Sequence, residues 1–93
     1  MFDELTSKVK QGGRLRISKG TVHLSAGIES VEEYVEEGCY KELRLKLTGG
    51  SVVYIYDCYT ITKTRRPNDL INQFEWCYRV VDEEDAVFYI TSN

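Results

Sequence analysis

The chain has 93 residues, 42% hydrophobic and 29% charged, with a single proline and a net charge of -3. That size predicts one domain over residues 1–93, because two would each be too small to bury a core unaided. The composition excludes a disordered tail, no apolar run is long enough to span a bilayer, and the mild acidity has the wrong sign for a general nucleic-acid binder.

Phe2, Leu5 and Val9 recur at i, i+3 and i+7, which predicts a short helix stopped by Gly12-Gly13. The opening Met1-Phe2-Asp3-Glu4-Leu5 lacks the basic and apolar regions of a secretory signal. Arg14 to Ser18 and Thr21 to Ala26 alternate with period two, and Lys19-Gly20 suits a two-residue hairpin turn between them. That register sets Ile17 opposite Val22 and Leu15 opposite Leu24, with Arg14, Arg16 and His23 on the other face. Ser30-Val31-Glu32-Glu33 has the pattern of a capping box. It predicts a second helix running to Glu37, with Val31, Tyr34 and Val35 inward and Gly38 as its stop.

From Cys39 onward the chain reads as an antiparallel meander to Thr91. Leu43, Leu45 and Leu47 alternate with charge up to a turn at Gly49-Gly50. A β-rich run from Ser51 to Thr64 follows, then a break at Arg66-Pro67-Asn68-Asp69. Gln73 to Val81 alternates again, although Asp69 to Trp76 also fits a short helix capped by Asn68. The acidic quartet Asp82-Glu83-Glu84-Asp85 turns the chain into Ala86 to Thr91. The expected fold is therefore α+β: two short helices packed on an antiparallel meander of about six strands, with a sheet that could curl toward a barrel.

The three cysteines form Cys39-Tyr40, Cys58-Tyr59 and Cys77-Tyr78, nineteen residues apart both times. A fixed period asks for a structural reading. A hairpin folding at Pro67-Asn68 sets Cys58 across from Cys77, and one closing on Glu83-Glu84 sets Tyr78 across from Tyr89. Successive strand residues point to opposite faces, so this register sorts thiols from tyrosines. The cysteines go with Leu43, Leu45, Leu47, Val52, Tyr54, Tyr56, Phe88 and Ile90 on a core face. Tyr40, Tyr59, Phe74, Trp76, Tyr78 and Tyr89 go to the opposite face, with Arg44 and Lys46. Tyrosine and tryptophan are enriched at interfaces, so those six aromatic residues are the expected partner-binding set.

Three cysteines and His23 lack the close spacing of a zinc site, and no metal or cofactor is expected. An odd number of thiols without an export signal suggests a reduced, cytoplasmic protein. His23 has no acidic neighbour to make a catalytic triad. Asp57 is an acid inside an apolar run, held by a neighbour or opening on a rim. Acids gather at Glu29 to Glu37 and Asp82 to Asp85, and bases at Lys8 to Lys19, Lys41 to Lys46 and Lys63 to Arg66, a segregation suited to steering a charged partner. The expected function is a non-enzymatic protein-interaction module, as a homodimer or against another protein. That class includes small phage-encoded regulators and inhibitors of host defence proteins. The alternative use of the same aromatic face is binding single-stranded nucleic acid or a nucleotide. No membrane association is expected.

Overall fold

In the computed structural model, which describes residues 1–35, 40–64 and 76–92, the helical stripe Phe2, Leu5 and Val9 does form a helix, α1 (Phe2–Lys10). It carries Asp3 and Glu4 in its first turn and Lys8 and Lys10 in its last, the arrangement its dipole favours. Leu5 and Val9 are fully buried. Among the described residues seven strands follow: β1 (Arg14–Lys19), β2 (Val22–Val35), β3 (Lys41–Leu47), β4 (Val52–Tyr56), β5 (Thr60–Lys63), β6 (Cys77–Val81) and β7 (Val87–Ser92). All pairings are antiparallel, in the order β4-β3-β2-β1-β7-β6-β5.

The sheet is curled but not closed. Its two edges, β4 and β5, are joined only by Asp57-Cys58-Tyr59, a link that reaches no more than about 14 Å. The edges therefore meet at that corner. Helix α1 is tied to both halves of the curl. Asp3 faces Lys41 of β3 at 3.6 Å, Lys10 pairs with Glu33 of β2, and Glu4 faces Lys63 of β5 at 4.0 Å. The inner face gathers Leu15, Ala26, Leu43, Leu45, Leu47, Ile55, Ile61, Trp76, Tyr78, Val80 and Ile90 around Leu5 and Val9 in one core.

The antiparallel sheet and the first helix follow the sequence reading, but the second helix does not form. Residues 30–35 continue β2, and Val31, Glu32, Glu33 and Tyr34 pair with Leu45, Arg44, Leu43 and Glu42. A lone helix of eight residues is too short to hold itself, whereas the alternating leucines of β3 offer a ready strand partner. Tertiary pairing thus overrides the local capping signal. Glu36 to Cys39, including the proposed Gly38 stop, lie outside the described residues.

Three hairpins also differ in register. The first pairs Ile17 with Leu24 and Leu15 with Ala26, two residues along from the expected pairing. Gly20, with φ +60, takes the first central position of the turn, where a two-residue hairpin needs positive φ. The second pairs Leu45 with Val53 and Arg44 with Tyr54. Its loop is three residues, Thr48-Gly49-Gly50, closed by the Leu47 N–H donating to the Ser51 carbonyl at 2.8 Å. The third pairs Tyr78 with Ile90 and Cys77 with Thr91, again around three residues. There the Asp82 carboxylate accepts from the Glu84 and Ala86 N–H groups, and Asp85 takes φ 63. One extra loop residue moves every side chain of a strand to the other face. It sends Val52, Tyr54 and Tyr56 outward and Tyr78 inward.

The nineteen-residue step is not a hairpin mark. Thr60 pairs with Val81, and Cys58 lies beyond the strand, its thiol donating to Glu83 Oε1 at 3.1 Å. Cys58 is exposed and Cys77 buried. Cys77 faces away from the core, so the expected thiol core is reversed: the tyrosine partner Tyr78 lies inside. The Pro67-Asn68 turn and the alternative helix from Asp69 fall outside the described residues.

Candidate interaction face

Two register devices build an exposed aromatic surface on β2, β3 and β4. The first is the three-residue loop at Thr48-Gly49-Gly50. The second is an irregularity in β2 between Ile28 and Ser30. Before it the even residues Ala26 and Ile28 share the inner face, pairing with Leu15 and Leu47. After it the odd residues Val31 and Glu33 do so. The extra residue of a bulge changes which parity faces inward, so it turns Ser30, Glu32 and Tyr34 outward.

The outer face then reads in rows across the three strands. Glu32, Arg44 and Tyr54 form one row, and Tyr34, Glu42 and Tyr56 the next. The Arg44 guanidinium lies 4.4 Å from the Tyr34 ring centre and 5.2 Å from that of Tyr54. Its Nη2 donates to Glu42 Oε2 at 3.0 Å, while its Nε is buried without a partner. Burial opposes the guanidinium's charge, but Glu42 and the flanking tyrosines hold its pKa above the usual value. The Tyr56 hydroxyl donates to Glu42 Oε1 at 2.9 Å. That bond, followed by partial burial, pushes the Tyr56 phenol up to about 12.

The Tyr34 hydroxyl donates to Glu32 Oε2 at 2.8 Å, and Lys46 Nζ stands 3.2 Å from Glu32 Oε1. Tyr34 and then Lys46 hold the Glu32 carboxyl below its ordinary range, and the same bond raises Tyr34. Tyr40 packs edge-on against Tyr56 at 5.1 Å, and Tyr56 against Tyr59 at 5.4 Å. Tyr34, Tyr40 and Tyr54 nevertheless remain 44–45% exposed, with Val52 on the same face of β4.

The six residues expected to bind a partner are scattered. Tyr40 lies on this face, and Tyr59 is half-buried at the corner beside it. Trp76 and Tyr78 are buried in the core, their rings 5.7 Å apart, so neither presents a surface. Tyr89 sits on the outer face of the other half, paired with Ser18 and Arg79, and Phe74 lies outside the described residues. Tyr34, Tyr54 and Tyr56 were not expected here. No residue type announces them: Gly49 and Gly50 both take positive φ and suit either loop length, and Tyr34 depends on the irregularity after Ile28.

The acids of β2 and the bases of β3 are interleaved in space: Glu32 lies beside Arg44 and Lys46, and Glu33 pairs with Lys10 of α1. Asp57 is exposed in the corner turn, its N–H donating to the Lys41 carbonyl at 3.1 Å. His23 Nδ1 lies 2.8 Å from Ser18 Oγ. No group of three potential metal ligands occurs among the described residues, and no described helix is long and apolar enough to cross a membrane. Glu83 first, then burial, raises the Cys58 thiol, which keeps it protonated and a poor nucleophile. Comparison with known family models, curated proteins and solved structures finds no match to this chain.

Proposed function

We propose that the protein is a non-enzymatic protein-interaction module whose contact surface is the outer face of β2, β3 and β4. The observation that carries this reading is Arg44 held between Tyr34 and Tyr54 on an open sheet face. Tyrosine, tryptophan and arginine dominate the residues that supply binding energy at interfaces. An arginine already fixed by a carboxylate and two rings loses little further freedom when a partner covers it.

The partner is a protein, either a second copy of this chain or a different molecule. A role as a phage-encoded regulator of a host protein belongs to the second case. Arg44 and Lys46 are each matched by a glutamate within the face, which leaves little uncompensated positive charge for a phosphate backbone and supports a protein partner over nucleic acid.

Affinity capture from the source cell, with proteins and nucleic acids both identified, tests the reading when wild type is run beside Tyr54→Arg. Light scattering on the same two proteins reports self-association. The expected result is a partner, or a dimer mass, that is lost in a variant with an unchanged melting temperature. A folded Tyr54→Arg protein that keeps the same partners and mass overturns the reading.

A further inference from the structure

Tyr34, Glu42 and Tyr56 stand abreast on three adjacent strands, and Tyr40 closes one end of the row against Tyr56. These four residues line a hollow of about 120 Å³. Three tyrosines and one carboxylate thus line the space. Its volume equals roughly four water molecules at about 30 Å³ each. Pockets that hold whole small molecules start near 300 Å³. The hollow therefore suits the compact end group of something larger, rather than a nucleotide.

The lining selects the charge of that group. Aromatic ring faces carry negative potential and attract cations, and the adjoining Glu42–Arg44 pair is neutral overall. The neighbouring row already holds a cation against the same ring, since Arg44 covers one face of Tyr34 at 4.4 Å. Arg44 is itself compensated by Glu42, which limits its repulsion of a second cation.

Hydrogen bonding narrows the choice further. Glu42 Oε1 accepts from Tyr56 and Oε2 from Arg44, which leaves each oxygen only one further lone pair. A bare lysine ammonium brings three N–H donors that each need an acceptor, and burying a donor unmatched is costly. A quaternary methylated ammonium has no N–H to satisfy. We propose that this hollow is a cage for a methylated ammonium group, carried by a methylated lysine of a partner or by a choline-type molecule. The proposal rests on the reading of this face as the contact surface and names the group that a partner inserts there.

The test is a titration of the full chain followed by NMR of its tyrosine rings. The probes are choline, its neutral isostere with carbon in place of the quaternary nitrogen, and one lysine peptide in trimethylated and unmodified forms. Choline or the trimethylated peptide should shift Tyr34, Tyr40 and Tyr56 saturably, and the neutral or unmodified counterpart should bind at least about tenfold more weakly. Tighter binding of the modified peptide than of choline assigns the group to a protein side chain, and the reverse order to a small molecule. Tyr40→Leu, with an unchanged melting temperature, should abolish the shifts at Tyr34 and Tyr56. Equal binding of charged and neutral probes overturns the cage, as does the absence of saturable shifts with both methylated probes. In either event, loss of partner or dimer in Tyr54→Arg still upholds the contact face, so the two proposals fail separately.

Discussion

Tyr54 on β4 and Tyr78 on β6 each sit on a five-residue strand among strand-forming neighbours, yet one is 45% exposed and the other 0%. Nothing in their immediate sequence separates them. The separation comes from hairpin loops, which are one residue longer than the shortest turn in both cases. The loop at Thr48-Gly49-Gly50 turns Tyr54 outward, and the loop after Asp82 turns Tyr78 inward. The same tyrosine is a core residue in one place and a contact residue in the other, and register decides which.

Substitution at the two sites should give the largest contrast. Tyr78→Ala removes a ring packed against Trp76 and should cost about 3–5 kcal/mol, in line with other buried aromatic truncations. Tyr54→Ala should fall within about 1 kcal/mol, as surface changes usually do. Urea unfolding of both variants measures the difference, and comparable losses would break the comparison.

The loops themselves come next. Gly50 has φ +93 and Asp85 has φ 63, so the two turns hold different residues in similar backbone states. Gly50→Ala should cost about 1 kcal/mol, because a side chain is strained there. Asp85→Gly should be neutral or stabilising by up to about 1 kcal/mol for the converse reason. Thermal unfolding reads both changes.

Alkaline titration should separate the two environments more finely. Both Tyr56 and Tyr78 are raised to about 12. The Glu42 bond is the leading cause for Tyr56, whereas burial, followed by the Glu4 carboxylate, is the cause for Tyr78. A phenol whose folded pKa is raised stabilises the fold fully below its ordinary value. That contribution is lost as pH climbs from about 10 to about 12. Phenolate absorbance should show Tyr56 and Tyr78 titrating late, with Tyr34 and Tyr59 also raised, and stability should decline over that window. Glu42→Gln should bring Tyr56 back toward the ordinary range and leave Tyr78 unmoved.

The smallest effect concerns the corner between the edge strands. Glu83→Gln should lower the Cys58 pKa and speed its alkylation, with Cys77 protected by burial in both proteins. Peptide mapping after timed reaction distinguishes them.

The sequence carries a good deal of this architecture. The stripe Phe2, Leu5 and Val9 specifies α1, alternation specifies β1 and β3, and the antiparallel character of the rest follows from its β-branched and aromatic content. Three features were hidden for physical reasons. Ser30 to Glu33 satisfies a local capping pattern, but its alternation also satisfies a strand, and only the presence of β3 decides between them. The irregularity after Ile28 leaves no composition signal, yet it determines that Tyr34 faces out. Gly49-Gly50 fits a two-residue and a three-residue loop equally well by residue type, although the two put opposite faces of β4 against the core. That ambiguity hides the candidate face in the sequence. Its tyrosines were visible in the sequence, but the parity that exposes them was not.

The pairing of Arg44 with Tyr54 is where fold and proposed function meet, and cross-strand NMR tests it most directly. Leu47 and Asp57 donate to Ser51 and Lys41, which makes the odd residues of β4 the hydrogen-bonded ones. Arg44 and Tyr54 are then a non-hydrogen-bonded pair, whose α-carbons lie about 4.5 Å apart. A strong Hα–Hα cross-peak between Arg44 and Tyr54 is the predicted result. A cross-peak between Leu45 and Tyr54 in its place would contradict the account, because it turns Tyr54 and Tyr56 toward the core and removes the contact face.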